Sequence, residues 1–303
     1  MADDEVLGRV DTDGHALSAP VDETGTSLAV VPTGAPWLGW TVDPAEAPWD
    51  VAVGGETLTV SAVAGDTAVD AFDRTVASGW GTATSGQAWS TSGGSASDYS
   101  VGSGTGVHSV GTLSVNRFTL RAAGTEADTS LAVSVSTPVL ATGTQGHQAY
   151  LIARHLDANN YYGARVEFGT DQSVRLTLIK VVAGAPGAYP AVDTGLTHEA
   201  GVPVRFRFDV QGTTLRARAW LASDVEPTTW QATQTDSSLS AAGQSGLRTR
   251  ILTGNTNTLP VPFSFTDFHV AQLVTVTRSA NGISKSHAAG AAVALATTPI
   301  IAL

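Results

Sequence analysis

Hydrophobic and polar positions alternate along most of this chain. VAVGGETLTVSAV (51–63), VRLTLIKVV (174–182), VRFRFDV (204–210) and LRARAW (215–220) place apolar, β-branched or aromatic residues at alternate positions or in short runs, the pattern of a pleated strand with a buried face. Turn clusters separate them: Gly54-Gly55, Gln211-Gly212-Thr213, and Asn281-Gly282 between VTVTRSA and ISKSH. The Asn-Gly pair predicts a type I′ hairpin, because both central residues of that turn need positive φ. No window of about 11–18 residues sustains a 3.6-residue apolar period. The pattern predicts an all-β chain built as a sandwich or barrel.

The same pattern divides the chain. Residues 77–112 are rich in Gly, Ser and Thr, yet carry Trp80, Trp89 and Tyr99. A flexible linker has no use for aromatics that bury about 150–250 Å² each, so short strands joined by glycine loops are expected there. A linker-like junction falls at 65–68 and a second shift in composition near 270–272. The last 32 residues are fewer than the roughly 40 that sustain a core alone. The first 65 carry Trp37, Trp40 and Trp49 but little continuous apolar surface. Joined, the two ends make 97 residues, an ordinary domain size. The expected organisation is therefore a discontinuous β-rich domain, 1–65 with 272–303, into which a second domain, 66–271, is inserted. Insertion is tolerated when the inserted domain's own ends lie side by side.

Composition narrows the function. The 303 residues carry a formal charge of −11 and a pI of about 4.9, which repels polyanions, so non-specific nucleic-acid binding is excluded. With no cysteine, disulfide scaffolds, thiolate zinc sites and cysteine nucleophiles are excluded too. The acidic start MADDEV has neither the basic nor the apolar region of a signal peptide. The most apolar stretch, 288–303, is interrupted by Gly290, Thr297, Thr298 and Pro299 and is shorter than the roughly 20 residues that span a bilayer, so no membrane insertion is expected. Fourteen of the 16 basic residues are arginine, a bias that a coding sequence rich in G and C would also produce.

Catalytic patterns are missing. Retaining glycoside hydrolysis needs two carboxylates about 5–5.5 Å apart, which on one strand means acids at alternate positions. Glu167 in RVEFG has no acid at 165 or 169, and Asp171 lies past Gly169 in a turn. There is no G-x-S-x-G elbow, Walker lysine or H-E-x-x-H. The seven histidines (15, 108, 147, 155, 198, 269 and 287) share no metal-like spacing and read as surface or loop residues. Asp11-Thr12-Asp13-Gly14 lacks the EF-hand register, since its glycine comes at the fourth position, and reads as an acidic turn.

Alternation does assemble one candidate binding face. Arg205, Arg207 and Asp209 share one side of a strand, with Phe206, Phe208 and Val210 on the other; after a turn, Arg216, Arg218 and Trp220 share a face. Arg165, Glu167 and Arg175 would join them if their strands lay in the same sheet. Guanidinium forks donate to hydroxyls and carboxylates while an aromatic stacks on a sugar ring, so such a face suits a glycan. A solvated face of cross-strand ion pairs explains the same residues. Phe72, Phe206, Phe208, Phe265 and Phe268 read as core. Trp80, Tyr161, Tyr162 and Trp230, in or beside loop-rich segments, are the candidate aromatic contacts.

Four stretches together carry a resemblance: DAFDRTVASGWGTATSGQAWSTSGG (70–94), YLIARHLDANNYYGARVEF (150–168), LRARAWLASDVEPTTWQATQTDSSLSAAGQSGLRT (215–249) and FSFTDFHV (263–270). They resemble a concanavalin A-like (LamG-like) jelly roll of the kind carried by secreted actinobacterial proteins and by tail proteins of actinobacterial phages. APWDVAVGGETLTVSAV (47–63) and VTVTRSANGISKSHAAGAAVALATTPIIAL (274–303) are similar to two adjoining parts of siphovirus minor tail proteins. The resemblance implies a jelly-roll β-sandwich inserted into a smaller β-rich tail domain, and a virion structural protein made in the host cytoplasm. Its partners would be other tail proteins, host cell-wall polysaccharide and further copies of itself in a closed ring or trimer. No cofactor is required. The resemblance also suggests Ca²⁺ where first and last strands meet, near Asp70 and Asp267, although both could simply cap or pair with backbone. A free carbohydrate-binding module of a secreted bacterial protein is the alternative, and a glycoside hydrolase a third reading.

Overall fold

The computed structural model describes residues 14–35, 37, 39–40, 42–122 and 126–296. Two expectations fall outside them, the acidic Asp11-Thr12-Asp13 turn and the closing segment 297–303. Among the described residues strands dominate, and helix is limited to two short 3-10 turns, Pro44–Glu46 and Ala96–Asp98. The chain is all-β, as the period-two pattern requires. No helix among these residues is long and apolar enough to cross a membrane. Two compact units divide at Thr67/Ala68 and Ala271/Gln272.

The first unit opens with β1 (His15–Leu17), β2 (Ser27–Pro32), β3 (Trp49–Val53) and β4 (Glu56–Ala64). The second contains β5 (Ala68–Asp70), β6 (Trp89–Ser92), β7 (Tyr99–Gly102), β8 (Thr105–Val110), β9 (Arg117–Arg121), β10 (Thr129–Ser136), β11 (His147–Asp157) and β12 (Asn160–Phe168). It continues through β13 (Ser173–Val182), β14 (Ala185–Ala188), β15 (Val192–Thr197), β16 (Val204–Gln211), β17 (Thr214–Leu221), β18 (Ala232–Thr235) and β19 (Gln244–Ile251). Then β20 (Val261–Thr277) gives residues 261–271 to the second unit and 272–277 to the first, to which β21 (Ala292–Leu295) also belongs.

The first unit is a closed barrel. Antiparallel pairing runs β20-β2-β1-β21-β3-β4 and returns from β4 to β20. Closure leaves no sheet edge, which a small domain otherwise has to cover. Alternate residues fill the interior, among them Val51 and Val53, Leu58 and Val60, Val274 and Val276. Gly54 and Gly55, with φ of 53° and 88°, make the two-residue turn between β3 and β4. Asn281-Gly282 departs from expectation: it sits in a turn, but ISKSH forms no strand, and no hairpin follows. Instead the Asn281 side chain donates to the Gly55 carbonyl and accepts from the Thr57 amide, tying its turn to the neighbouring hairpin. Glu56, fully buried, anchors the segment after β20: it accepts from Arg278 Nε and Nη2 at 2.7 Å each and contacts His287 Nε2 at 2.8 Å. Burial opposes its charge, but these bonds prevail and hold its pKa down at about 2.

The second unit is a two-sheet antiparallel sandwich. One sheet runs β18-β17-β16-β10-β20, with β5 and β8 on the far edge of β20 and β7 on β8; the other runs β14-β13-β12-β11-β19-β9-β6, with β15 also on β13. Their inner faces enclose the main core, which includes Phe72, Phe206, Phe208, Phe265 and Phe268 as expected, each fully buried. Trp80 is buried there as well, its Nε1 donating to the Val107 carbonyl. The rings of Phe72, Trp89, His108 and Phe265 surround it at 4.9–5.8 Å. Gly106 makes room for this cluster, since a Cβ there would lie 2.6 Å from Phe72.

Candidate functional site

The arginine face expected on β16 and β17 exists, but the chain covers and neutralises it. Arg207 and Arg218 are buried, not solvated. Glu226, in the loop between β17 and β18, accepts from Arg207 Nε at 2.6 Å and Arg218 Nε at 2.7 Å. Trp230 of the same loop lies under Arg216 and Arg218, 4.6 and 4.2 Å from their guanidinium carbons. Asp209 accepts from Ser130 and Arg216; burial dominates its titration and pushes its pKa up. Arg205 pairs with Asp267 and Ser134, and Trp220 is buried. A loop supplied by the chain itself thus occupies the place a glycan would take on Arg207 and Arg218.

The other candidates are redistributed. Trp80 and Tyr162 are core residues rather than loop contacts, and Tyr162 donates to Asp236 at 2.6 Å. Asp70 does not await a cation: it is fully buried, accepts from both terminal nitrogens of Arg74 and from Trp89 Nε1, and caps the Phe72 amide. Asp267 is exposed and paired with Arg205. Among the described residues no three His, Asp or Glu side chains come together to hold a metal ion. Six of the seven histidines are buried, contrary to the surface reading. Hydroxyl, amide and carboxylate partners make this possible: His108 meets Thr119 and Thr249, His147 meets Asn257, and His287 meets Glu56.

Arg165, Glu167 and Arg175 do not join the arginine face, because β12 and β13 lie in the opposite sheet. There they belong to a different constellation. Cross-strand register puts Phe118, Arg248, Tyr150, Arg165 and Thr177 in one row across β9, β19, β11, β12 and β13. The next row holds Arg250, Gln148, Glu167 and Arg175. These residues alternate with the core-facing set, so they occupy the outer face of the second sheet. Its floor is apolar and packed: Phe118, Leu120, Tyr150, Ile152, Tyr161, Ile179 and Val181 form a separate buried cluster. At β11 the register slips around Arg154, whose φ is 47°, turning that arginine inward onto the Ala127, Leu239 and Gly212 carbonyls. His155 consequently reaches the outer side and stacks on Tyr161 at 5.5 Å.

The polar groups on this floor are held in a fixed relay. Tyr150 donates to Gln148 at 2.7 Å, and Gln148 donates to Glu167 at 2.9 Å. Arg248 lies 4.3 Å above the Tyr150 ring and donates to Asn116 and Tyr161. Arg165 donates to Thr177, while its Nε stays 3.5 Å from Glu167 without a hydrogen bond. Arg250 makes no side-chain hydrogen bond or ion pair among the described residues, and its Nε is buried without a partner. The chemistry offered is a rigid array of N–H donors over an aromatic and aliphatic base. Of these groups, Tyr161 and the Arg165–Glu167–Arg175 set were singled out from the sequence. Arg248 and Arg250 were not, although RTRI (248–251) shows the same alternation as RFRF (205–208).

No protein-family model matches the chain, and neither does any curated protein. Solved structures with a similar arrangement include a carbohydrate-binding module, CBM66, from Bacillus subtilis, 16% identical over 60% of this chain and 94% of that one, with a TM-score of 0.41. A Bacillus licheniformis beta-glucanase is 12% identical over 69% and 97%, with a TM-score of 0.47. A prokaryotic beta-1,3-1,4-glucanase (lichenase) derived from a mouse hindgut metagenome is 11% identical over 68% and 98%, with a TM-score of 0.49.

Proposed function

We propose that this chain is a non-catalytic structural component of a phage tail whose sandwich unit binds host-surface glycan through the outer face of its second sheet. The observation that carries the glycan reading is the donor array of Arg165, Arg248 and Arg250 on a preformed aromatic floor. Preorganised N–H donors held on a packed base are what the hydroxyls of a sugar require. The tail reading is supported by the likeness of 47–63 and 274–303 to siphovirus minor tail proteins. Copies on one particle would raise a weak single-site affinity by about 10²–10⁴ where geometry allows several to engage. The non-catalytic reading is supported by the acids of the face: Glu167 is engaged by Gln148, and Asp171 is tied to Ser173 and Arg175.

Two experiments separate the parts. Antibody to this chain should label purified virions; a particle without the chain would leave a free lectin-like module of a secreted protein, the second reading, which the self-contained core of the sandwich favours. The full chain should bind actinobacterial wall polysaccharides without releasing reducing sugar. Release that disappears on Glu167→Gln would make it a hydrolase.

A further inference from the structure

Charge on the same outer face goes further than sugar binding in general. Four arginines, at 165, 175, 248 and 250, stand there against Glu167, Asp171 and Asp193, the last opposite Arg175 across β13 and β15, on a chain whose net charge is −11. All three acids are already engaged, Glu167 by Gln148, Asp171 by Arg175 and Ser173, and Asp193 by the Gly195 amide. Arg248 is spent in part on Asn116 and Tyr161. Arg250 makes no side-chain hydrogen bond or ion pair among the described residues. A half-buried guanidinium with an unpartnered Nε loses hydration without recovering it from the protein, a cost of desolvation that an anionic ligand would offset.

We propose that this face selects an acidic glycan, one whose sugar rings carry carboxylates, with Arg250 as the principal carboxylate reader and Arg165 as the second; the inference rests on the glycan reading above. Gln148 and Tyr150 of β11 lie between the two arginines, Arg250 on β19 to one side and Arg165 on β12 to the other. Arg248 covers the Tyr150 ring, but at about 4.8 Å between strands a carboxylate above Gln148 is within reach of Arg250 beside it and of Arg165 on the diagonal. The planar fork of arginine matches a carboxylate with two parallel N–H bonds, a geometry lysine cannot offer.

The test uses the full chain and four probes: polygalacturonate, the same polymer after its carboxyls are reduced to alcohols, poly(glycerol phosphate), and the wall-polysaccharide panel. Binding to polygalacturonate, weakened by salt and by carboxyl reduction, is expected. Arg250→Gln should weaken it by about 10- to 100-fold, the worth of a charge-assisted hydrogen bond, while Lys285→Gln, which removes one positive charge from the other unit, should not. Arg250 has no partner to lose, so unchanged thermal unfolding of that variant is expected alongside. Equal binding of the acidic and reduced polymers would overturn the carboxylate inference and leave the glycan reading standing. Preference for poly(glycerol phosphate) would overturn it in favour of phosphate. No binding to any probe or wall polysaccharide would remove the glycan reading along with it.

Discussion

Glu226 shows at the scale of one residue why the arginine pattern on β16 and β17 misled. Alternation correctly puts Arg207 and Arg218 on the side opposite Phe206 and Phe208, but it cannot report that a loop returns over that side. The signal lies about twenty residues away, in an acid set between Asp224-Val225 and Pro227. Taking Glu226 away removes the carboxylate that two buried guanidinium groups share. Glu226→Ala should therefore cost about 3–5 kcal/mol in urea unfolding of the sandwich unit; a loss below about 1 kcal/mol would mean water or another acid replaces it. Histidines mislead similarly, since composition says nothing about whether a hydroxyl awaits them. His108 is legible as a core residue only once Thr119 and Thr249 are known to face it from β9 and β19.

Elements were more legible than their partners. The strand segments proposed at 174–182, 204–210 and 215–220 lie within β13, β16 and β17, because each shows β-branched or alternating residues over a full strand length. Gly54-Gly55 turns as its composition requires, whereas Asn281-Gly282, the stronger motif, does not make a hairpin. A turn motif sets only local φ; whether strands pair across it depends on what else is available, and here β2 and β4 already flank residues 272–277 of β20. The assignment of β12 and β13 to the second sheet was beyond any local pattern. The glycine-rich stretch before β9 has a packing role: Gly106 is a specific fit under Phe72 and Trp80. Gly106→Ala should destabilise the sandwich by about 1–3 kcal/mol through overpacking, measurable by denaturant unfolding; no change would show that the aromatic cluster has slack.

At the scale of the whole molecule, buried titrating groups predict acid lability in two stages. Burial holds His108 at about 3 and His198 at about 4, and pushes His147 and His269 down as well. The unfolded chain takes up these protons near the ordinary value of 6.5 and the folded chain does not, so stability falls as pH drops from 6.5 toward 4. This loss belongs to the sandwich. Glu56 has the opposite charge type and the same direction: held at about 2 against an ordinary 4.5, its contribution is intact above 4.5 and is lost as pH falls toward 2. Hydrogen exchange followed by peptide should show the sandwich loosening first and the barrel later, with Glu56→Gln reducing the barrel's dependence between 4.5 and 2. Simultaneous loosening at pH 6 would contradict the assignment.

The barrel also has a consequence in time. Its ring closes only when β21 takes its place between β1 and β3, and β21 leaves the ribosome after the whole of the sandwich. Until then β1 and β3 carry open edges through the entire synthesis of residues 68–271. The sandwich can complete its core meanwhile, so the barrel, begun before the sandwich, finishes folding after it.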